Sequence, residues 1–206
     1  MLIKTLPVGH LETNCYIVTD EASLKCAIID PGADGNVILD YIEANNLTPE
    51  AVFLTHGHFD HHMALQTCLE ETFVPGYAHA GDINAPGEDS PHKMADVEGL
   101  DRYKDGDVIR VGNLEFTVIE TPGHSAGSVT LKCEGVLFTG DTLFRDSCGR
   151  TDLGGNMDVL LTSLRRLAEL PGDYEVYPGH AESTTLERER NFNYYMRHAT
   201  GEIQPK

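Results

Sequence analysis

Apolar residues in this chain fall in short runs, and their spacing switches between a period of two and a helical one. Residues 15–19 and the run Cys26-Ala27-Ile28-Ile29-Asp30 predict two strands. The second stops at Asp30-Pro31-Gly32, because proline has no N–H for a ladder and glycine permits the turn. Residues 36–45 predict a helix with Val37, Ile38, Tyr41 and Ile42 on one face, broken at Leu47-Thr48-Pro49. Ala51-Val52-Phe53-Leu54-Thr55 is almost wholly apolar, the pattern of a strand buried on both faces. A helix opening at Asp60 or His61 sets Met63, Leu65, Leu69 and Phe73 on its apolar side.

From residue 81 to 106 the pattern is weak, and residues 85–91 predict a loop placed to cover a pocket. Residues 108–111, 115–119, 128–133 and 136–139 then predict four strands. Residues 156–170 predict a helix capped by Asn156, with Val159, Leu160, Leu164 and Leu167 apolar. A strand over 174–177 and a largely polar helix over 183–198, with Phe192 and Tyr195 inward, complete the order. Strands precede helices twice, and Leu24-Lys25-Cys26-Ala27-Ile28-Ile29-Asp30 echoes Gly135-Val136-Leu137-Phe138-Thr139-Gly140-Asp141. The expectation is one α/β domain of two similar halves, about 1–107 and 108–206, its two sheets face to face with helices outside.

Composition narrows the partners. With 15 Lys and Arg against 33 Asp and Glu, the formal charge of −18 repels phosphate backbones and anionic lipid. Nucleic acid and membrane partners are therefore not expected; a small-molecule substrate is. Five cysteines without a CxxC pair suggest neither a disulfide framework nor a thiolate zinc site. Met1-Leu2-Ile3-Lys4-Thr5-Leu6-Pro7 does not read as a signal peptide, so the expected location is the cytoplasm.

The candidate chemistry lies in four blocks: Thr55-His56-Gly57-His58-Phe59-Asp60-His61, Pro122-Gly123-His124, Gly140-Asp141-Thr142 and Pro178-Gly179-His180. In extended chain, residues two apart point the same way, so His56 and His58 grip one ion while Phe59 turns into packing. Asp60 and His61 serve a neighbouring ion. Two divalent ions ~3.5–4 Å apart share a hydroxide and a bridging carboxylate. Asp141 is the best bridge, since an imidazole cannot supply two oxygens, and His124 and His180 complete one metal each. Imidazole and carboxylate ligands without thiolate suit zinc first, and also iron or manganese. Asp60 and Asp141 are the candidate catalytic residues. Cys148 reads as a small buried thiol, and His10, His62, His79, His92 and His198 as surface or core residues.

The first block, followed by single His124, Asp141 and His180, resembles the metallo-β-lactamase superfamily, and the likeness runs from Asn14-Cys15-Tyr16 to Glu189-Arg190-Asn191. It implies an αβ/βα four-layer sandwich with two metals at one edge between the sheets. It also implies that His56, His58 and His124 hold the first metal, Asp60, His61 and His180 the second, and Asp141 both. Within the superfamily, Thr121-Pro122-Gly123-His124-Ser125-Ala126-Gly127-Ser128, Gly140-Asp141-Thr142-Leu143-Phe144 and Ser147-Cys148-Gly149-Arg150 are similar to segments of the short glyoxalase II-like hydrolases. The implied activity is hydrolysis of a 2-hydroxyacyl glutathione thioester, such as S-lactoylglutathione, by attack of a metal-bridging hydroxide. Arg150 falls where that group carries a basic residue touching glutathione, and Arg145 is a second candidate for an anionic substrate. Asp152 stands where an aromatic contact to glutathione is common, and His62-Met63 replace small residues, so the thioester is better supported than its thiol. A mononuclear iron persulfide dioxygenase, using His56, His124 and Asp141, is the alternative from another reaction class. A lactonase is a further one, and a β-lactamase would be expected to be exported.

Overall fold

The computed structural model describes residues 1–84 and 87–203. Its first sheet takes six strands in chain order: β1 (Leu2–Val8), β2 (Thr13–Asp20), β3 (Lys25–Ile29), β4 (Thr48–Phe53), β5 (Gly76–His79) and β6 (Leu100–Tyr103). β1, β2 and β3 pair antiparallel, and β3 through β6 run parallel. Helices α1 (Gly35–Ala44), α2 (Phe59–His62) and α3 (Leu65–Thr72) interrupt this series. The second sheet contains β7 (Val108–Val111), β8 (Leu114–Glu120), β9 (Val129–Cys133) and β10 (Val136–Gly140), a short ribbon of β11 (Leu143–Phe144) and β12 (Ser147–Cys148) lying apart from it. After α4 (Met157–Ala168), β13 (Glu175–Pro178) joins parallel to β10, and β14 (Thr184–Thr185) forms the edge before α5 (Leu186–Phe192) and α6 (Tyr194–Ala199).

The layering follows from strand alternation. Ile28 packs outward with Ile17, Val52, Ile38 and Leu65 beneath α1 and α3. Its neighbour Ile29 faces inward with Val18, Phe53, Phe116, Leu131 and Phe138 between the sheets. Leu137 turns the other way, against Leu160, Leu164, Leu167 and Met196 of α4 and α6. Both sheets are thus buried on two faces, giving the four-layer αβ/βα sandwich. Asn156 caps α4 by accepting the Val159 N–H, as its position predicts. Among the described residues, no helix is long and apolar enough to cross a membrane.

Several expectations need correction. β1, β5 and β6 were not predicted: β1 is an edge strand carrying Pro7, and the other two are only four residues long. The helix expected from Asp60 is split into α2 and α3, so Leu65 and Leu69 are buried while Met63 and Phe73 face solvent. The helix expected over 183–198 is a strand and two helices. Asn193 ends α5 and caps α6, and its amide also donates to the Phe144 and Ser147 carbonyls. That turn leaves Phe192 exposed, while Tyr195 is partly buried. Of the loop at 85–91, residues 85 and 86 lie outside the described residues; Pro91 reaches the cavity described below.

Candidate metal centre

Each ligand block stands where a strand has just ended. β4 stops at Phe53, and the chain bends at Thr55 and is extended at His58 where α2 begins, which puts Asp60 and His61 among the helix's first residues. Gly57 lies between the two histidines because a Cβ there would sit 2.7 Å from Asp82 Cβ. His124 follows β8, Asp141 follows β10 and His180 follows β13. Gly179 gives the same close approach on the other side: a Cβ there would lie 2.3 Å from Asp141 Oδ1 and 2.6 Å from His61 Cε1.

All seven predicted ligands converge. His58 Nδ1 lies 2.8 Å from His124 Nε2, which lies 3.2 Å from His56 Nε2. Across the site, His180 Nε2 is 3.1 Å and His61 Nε2 3.6 Å from Asp60 Oδ2. Asp141 faces both groups, with Oδ1 3.4 Å from His61 Nε2 and Oδ2 3.6 Å from His124 Nε2 and 3.7 Å from His180 Nε2. The potential ligand atoms of His56–His58–His124, His56–His61–Asp141 and Asp60–His61–His180 lie within 4.8 Å of one another in each set.

The donor chemistry fits cations. His61 Nε2 and Asp141 Oδ1 are buried without a hydrogen-bond partner. Orphaned polar atoms of this kind are costly, and a bound cation would satisfy both. Burial, reinforced by neighbouring imidazoles, holds His56 well below its ordinary pKa and also lowers His58, so both keep a neutral, ligating form. Burial would lower His61 as well, but the carboxylates of Asp141, Asp30 and Asp60 raise it to about 9. Burial alone would raise the Asp60 carboxyl; the His180 hydrogen bond and the nearby His61 instead hold it well below the usual carboxylate range.

A second set of contacts aims these side chains. His61 Nδ1 lies 3.0 Å from Asp30 Oδ2, and Asp30 also accepts the Thr55 N–H and Oγ1–H at 2.7 Å each. His124 Nδ1 faces the Arg150 carbonyl at 2.6 Å and His58 Nε2 the Leu153 carbonyl at 3.3 Å, so their opposite nitrogens point into the site. Thr13 Oγ1 donates to Asp60 Oδ2 at 3.1 Å. Asp82, buried, accepts from Gly57 N–H (2.8 Å), Gly127 N–H (2.6 Å) and Ser125 Oγ (2.6 Å). Sequence reasoning missed Asp30, Asp82 and Thr13. Asp30 carried a signal, a carboxylate ending an apolar strand, but it read equally as an ordinary turn.

The site opens into a cavity of about 680 Å³. Besides ligand side chains, its walls are Leu11, Phe59, Pro91, Phe144, Leu153, His92, Ser147, Cys148 and Arg150. Phe59 is thus half exposed at the mouth and not packed inside. His92 is likewise a wall residue. Arg150 lines the cavity with its guanidinium bonded to Asp152. Arg145 is not among the wall residues; it pairs with Glu182 at 2.7 Å. Burial pushes the Cys148 thiol up to about 12, leaving it protonated near neutral pH.

A sandwich of this kind, with histidines and aspartates meeting at one edge of its sheets, is the architecture of a metal-dependent hydrolase. The chain belongs to the metallo-beta-lactamase superfamily, whose family profile matches residues 8–180. It is 35% identical over 206 residues to a probable metallo-hydrolase, YqgX, of Bacillus subtilis, covering 94% of this chain and 96% of that one. The crystal structure of the BLEG-1 B3 metallo-beta-lactamase superposes with a TM-score of 0.84 at 33% identity, covering 95% of this chain and 99% of the other. That of TTHA1623 in a di-iron-bound form gives 0.79 at 32% identity, covering 93% and 99%.

Proposed function

We propose that this protein is a binuclear metallohydrolase that cleaves a thioester, with 2-hydroxyacyl glutathiones such as S-lactoylglutathione as the first substrates to test. The observation that carries the reading is Asp141, whose carboxylate lies between the two ligand groups in a substrate-sized cavity, Oδ1 towards His61 and Oδ2 towards both His124 and His180. His56, His58 and His124 would hold one ion, Asp60, His61 and His180 the other, and Asp141 both. Zinc is proposed, with iron kept beside it because TTHA1623 was solved in a di-iron form; manganese suits the same ligands. When bound, such ions supply Lewis acidity and let water ionise near neutral pH.

The chain's own residues orient the reaction. Asp60, fixed by the Thr13 hydroxyl and His180, directs the attacking water. That water's oxygen bonds the acyl carbon as the carbon–sulfur bond breaks, giving a carboxylate, a thiol and one proton released to solvent. Thiols ionise near a pKa of ~8.5, so the leaving group needs no strong acid. Cys148 stays protonated, which supports direct attack by water over an acyl-enzyme.

The likeness to BLEG-1 favours β-lactam hydrolysis as the second reading. The complete Asp60–His61–His180 group speaks against a mononuclear persulfide dioxygenase, which would leave it unused. Elemental analysis of purified protein, joined to assays with S-lactoylglutathione, a β-lactam and glutathione persulfide, separates these readings. Two ions per chain and oxygen-independent thioester cleavage are expected. Two ions with β-lactam cleavage alone would replace the substrate and keep the centre.

A further inference from the structure

Arg150 is the one arginine or lysine among the described cavity walls, and its charge is already matched. Its Nε and Nη2 donate to the two carboxylate oxygens of Asp152 at 2.6 and 2.5 Å. That is the fork a substrate carboxylate would use. Other cations of the chain are also paired: Arg188 in a fork with Asp146, Arg145 with Glu182 and Lys93 with Glu88. The remaining wall is largely apolar. Leu11 and Phe59, 45% and 54% exposed at the mouth, continue into a shallow depression lined also by Met63. Large apolar groups held open to water beside a reactive centre gain from covering by apolar ligand surface.

We propose that this cavity selects an uncharged thioester with an apolar substituent, and that Asp152 sets the preference by occupying the Arg150 guanidinium. The inference rests on the thioester reading and names the substrate class within it. A thiol that carries carboxylates, such as glutathione with its net negative charge, must displace Asp152 to reach Arg150, and its carboxylates otherwise meet a neutral pair and the −18 field of the chain. A neutral, apolar thiol meets Leu11, Phe59, Phe144 and Leu153 instead.

The test compares two lactoyl thioesters, one of glutathione and one of a neutral N-acylcysteamine, in the metal-loaded protein. The neutral ester should have the larger kcat/KM by about tenfold, the scale at which apolar pockets discriminate. Asp152→Asn, which keeps the shape and frees the guanidinium, should narrow that ratio by about threefold, the scale of an exposed ion pair. Leu11→Ser should lower turnover of the neutral ester by a similar factor of about three, and that of the glutathione ester by less. The S-butyl thioethers of both thiols, which cannot be hydrolysed, should bind in the same order by calorimetry. A glutathione ester used equally well or better, or a ratio unmoved by Asp152→Asn, overturns the inference while leaving thioester hydrolysis intact. Turnover of neither ester overturns the thioester reading, and the thioether affinities then decide the cavity's preference alone.

Discussion

His61 Nδ1 and Asp30 Oδ2 lie 3.0 Å apart with both side chains at most 1% exposed, so one ring nitrogen of His61 is committed to Asp30 and the other to the site. Asp30→Asn keeps the volume but can present an N–H to the same nitrogen, favouring the wrong tautomer. Loss of such an orienting partner weakens metal affinity about 10–100-fold. Chelator competition should show this for one of the two ions, with the fold preserved by circular dichroism. Wild-type affinity for both ions would contradict the role given to Asp30.

Asp82 holds the loop between the first two ligands. Asp82→Ala leaves the Gly57 and Gly127 N–H groups without their acceptor in a buried setting. A cost of about 2–6 kcal/mol is expected, since each of the two buried donors left unsatisfied costs about 1–3. Urea denaturation of the metal-free protein measures it. A change below about 1 kcal/mol would mean that water replaces the carboxylate.

Asp141 and His180 should differ in kind. Asp141→Ala removes oxygens that face both ligand groups, and both ions should be lost or greatly weakened. His180 belongs only to the Asp60–His61 side, so His180→Ala should keep one ion tightly bound. Elemental analysis after dialysis distinguishes them, and two ions retained in Asp141→Ala would refute the bridge.

Alkaline conditions should destabilise the chain through its thiols. Burial pushes Cys26, Cys68, Cys133 and Cys148 up to about 12. Their ordinary value is ~8.5, so between ~8.5 and the native value the folded chain binds more protons than the unfolded one, and stability falls as pH rises. The contribution is intact below ~8.5 and is lost as pH rises through the native value. Urea midpoints of metal-free protein from about pH 8 to 11 should decline, less steeply in Cys68→Ala. An unchanged slope in that variant would oppose the assignment.

The seven convergent candidate ligands were legible because their blocks combine an apolar strand, a turn and a polar group within a few residues. β4 and the cap at Asn156 were legible for the same local reason. What stayed hidden depends on partners distant in sequence. β5 and β6, four residues each, gain their pairing only from the sheet. Phe59 and Phe73 look like core residues by type, and only the fold reveals that they stand at the surface. The Asp82 contacts span 25 to 45 residues, which no local pattern encodes.

The first sheet is built from residues before 104 and the second from residues after 107, yet the seven ligands are drawn four from one and three from the other. Asn14 in β2 already stitches this seam by donating to the Pro178 and Ala181 carbonyls beside His180. Ions seated there would act as rivets across it. Two fragments made by cutting the chain near residue 106 should therefore reassociate far more tightly when metal is supplied than when it is stripped away.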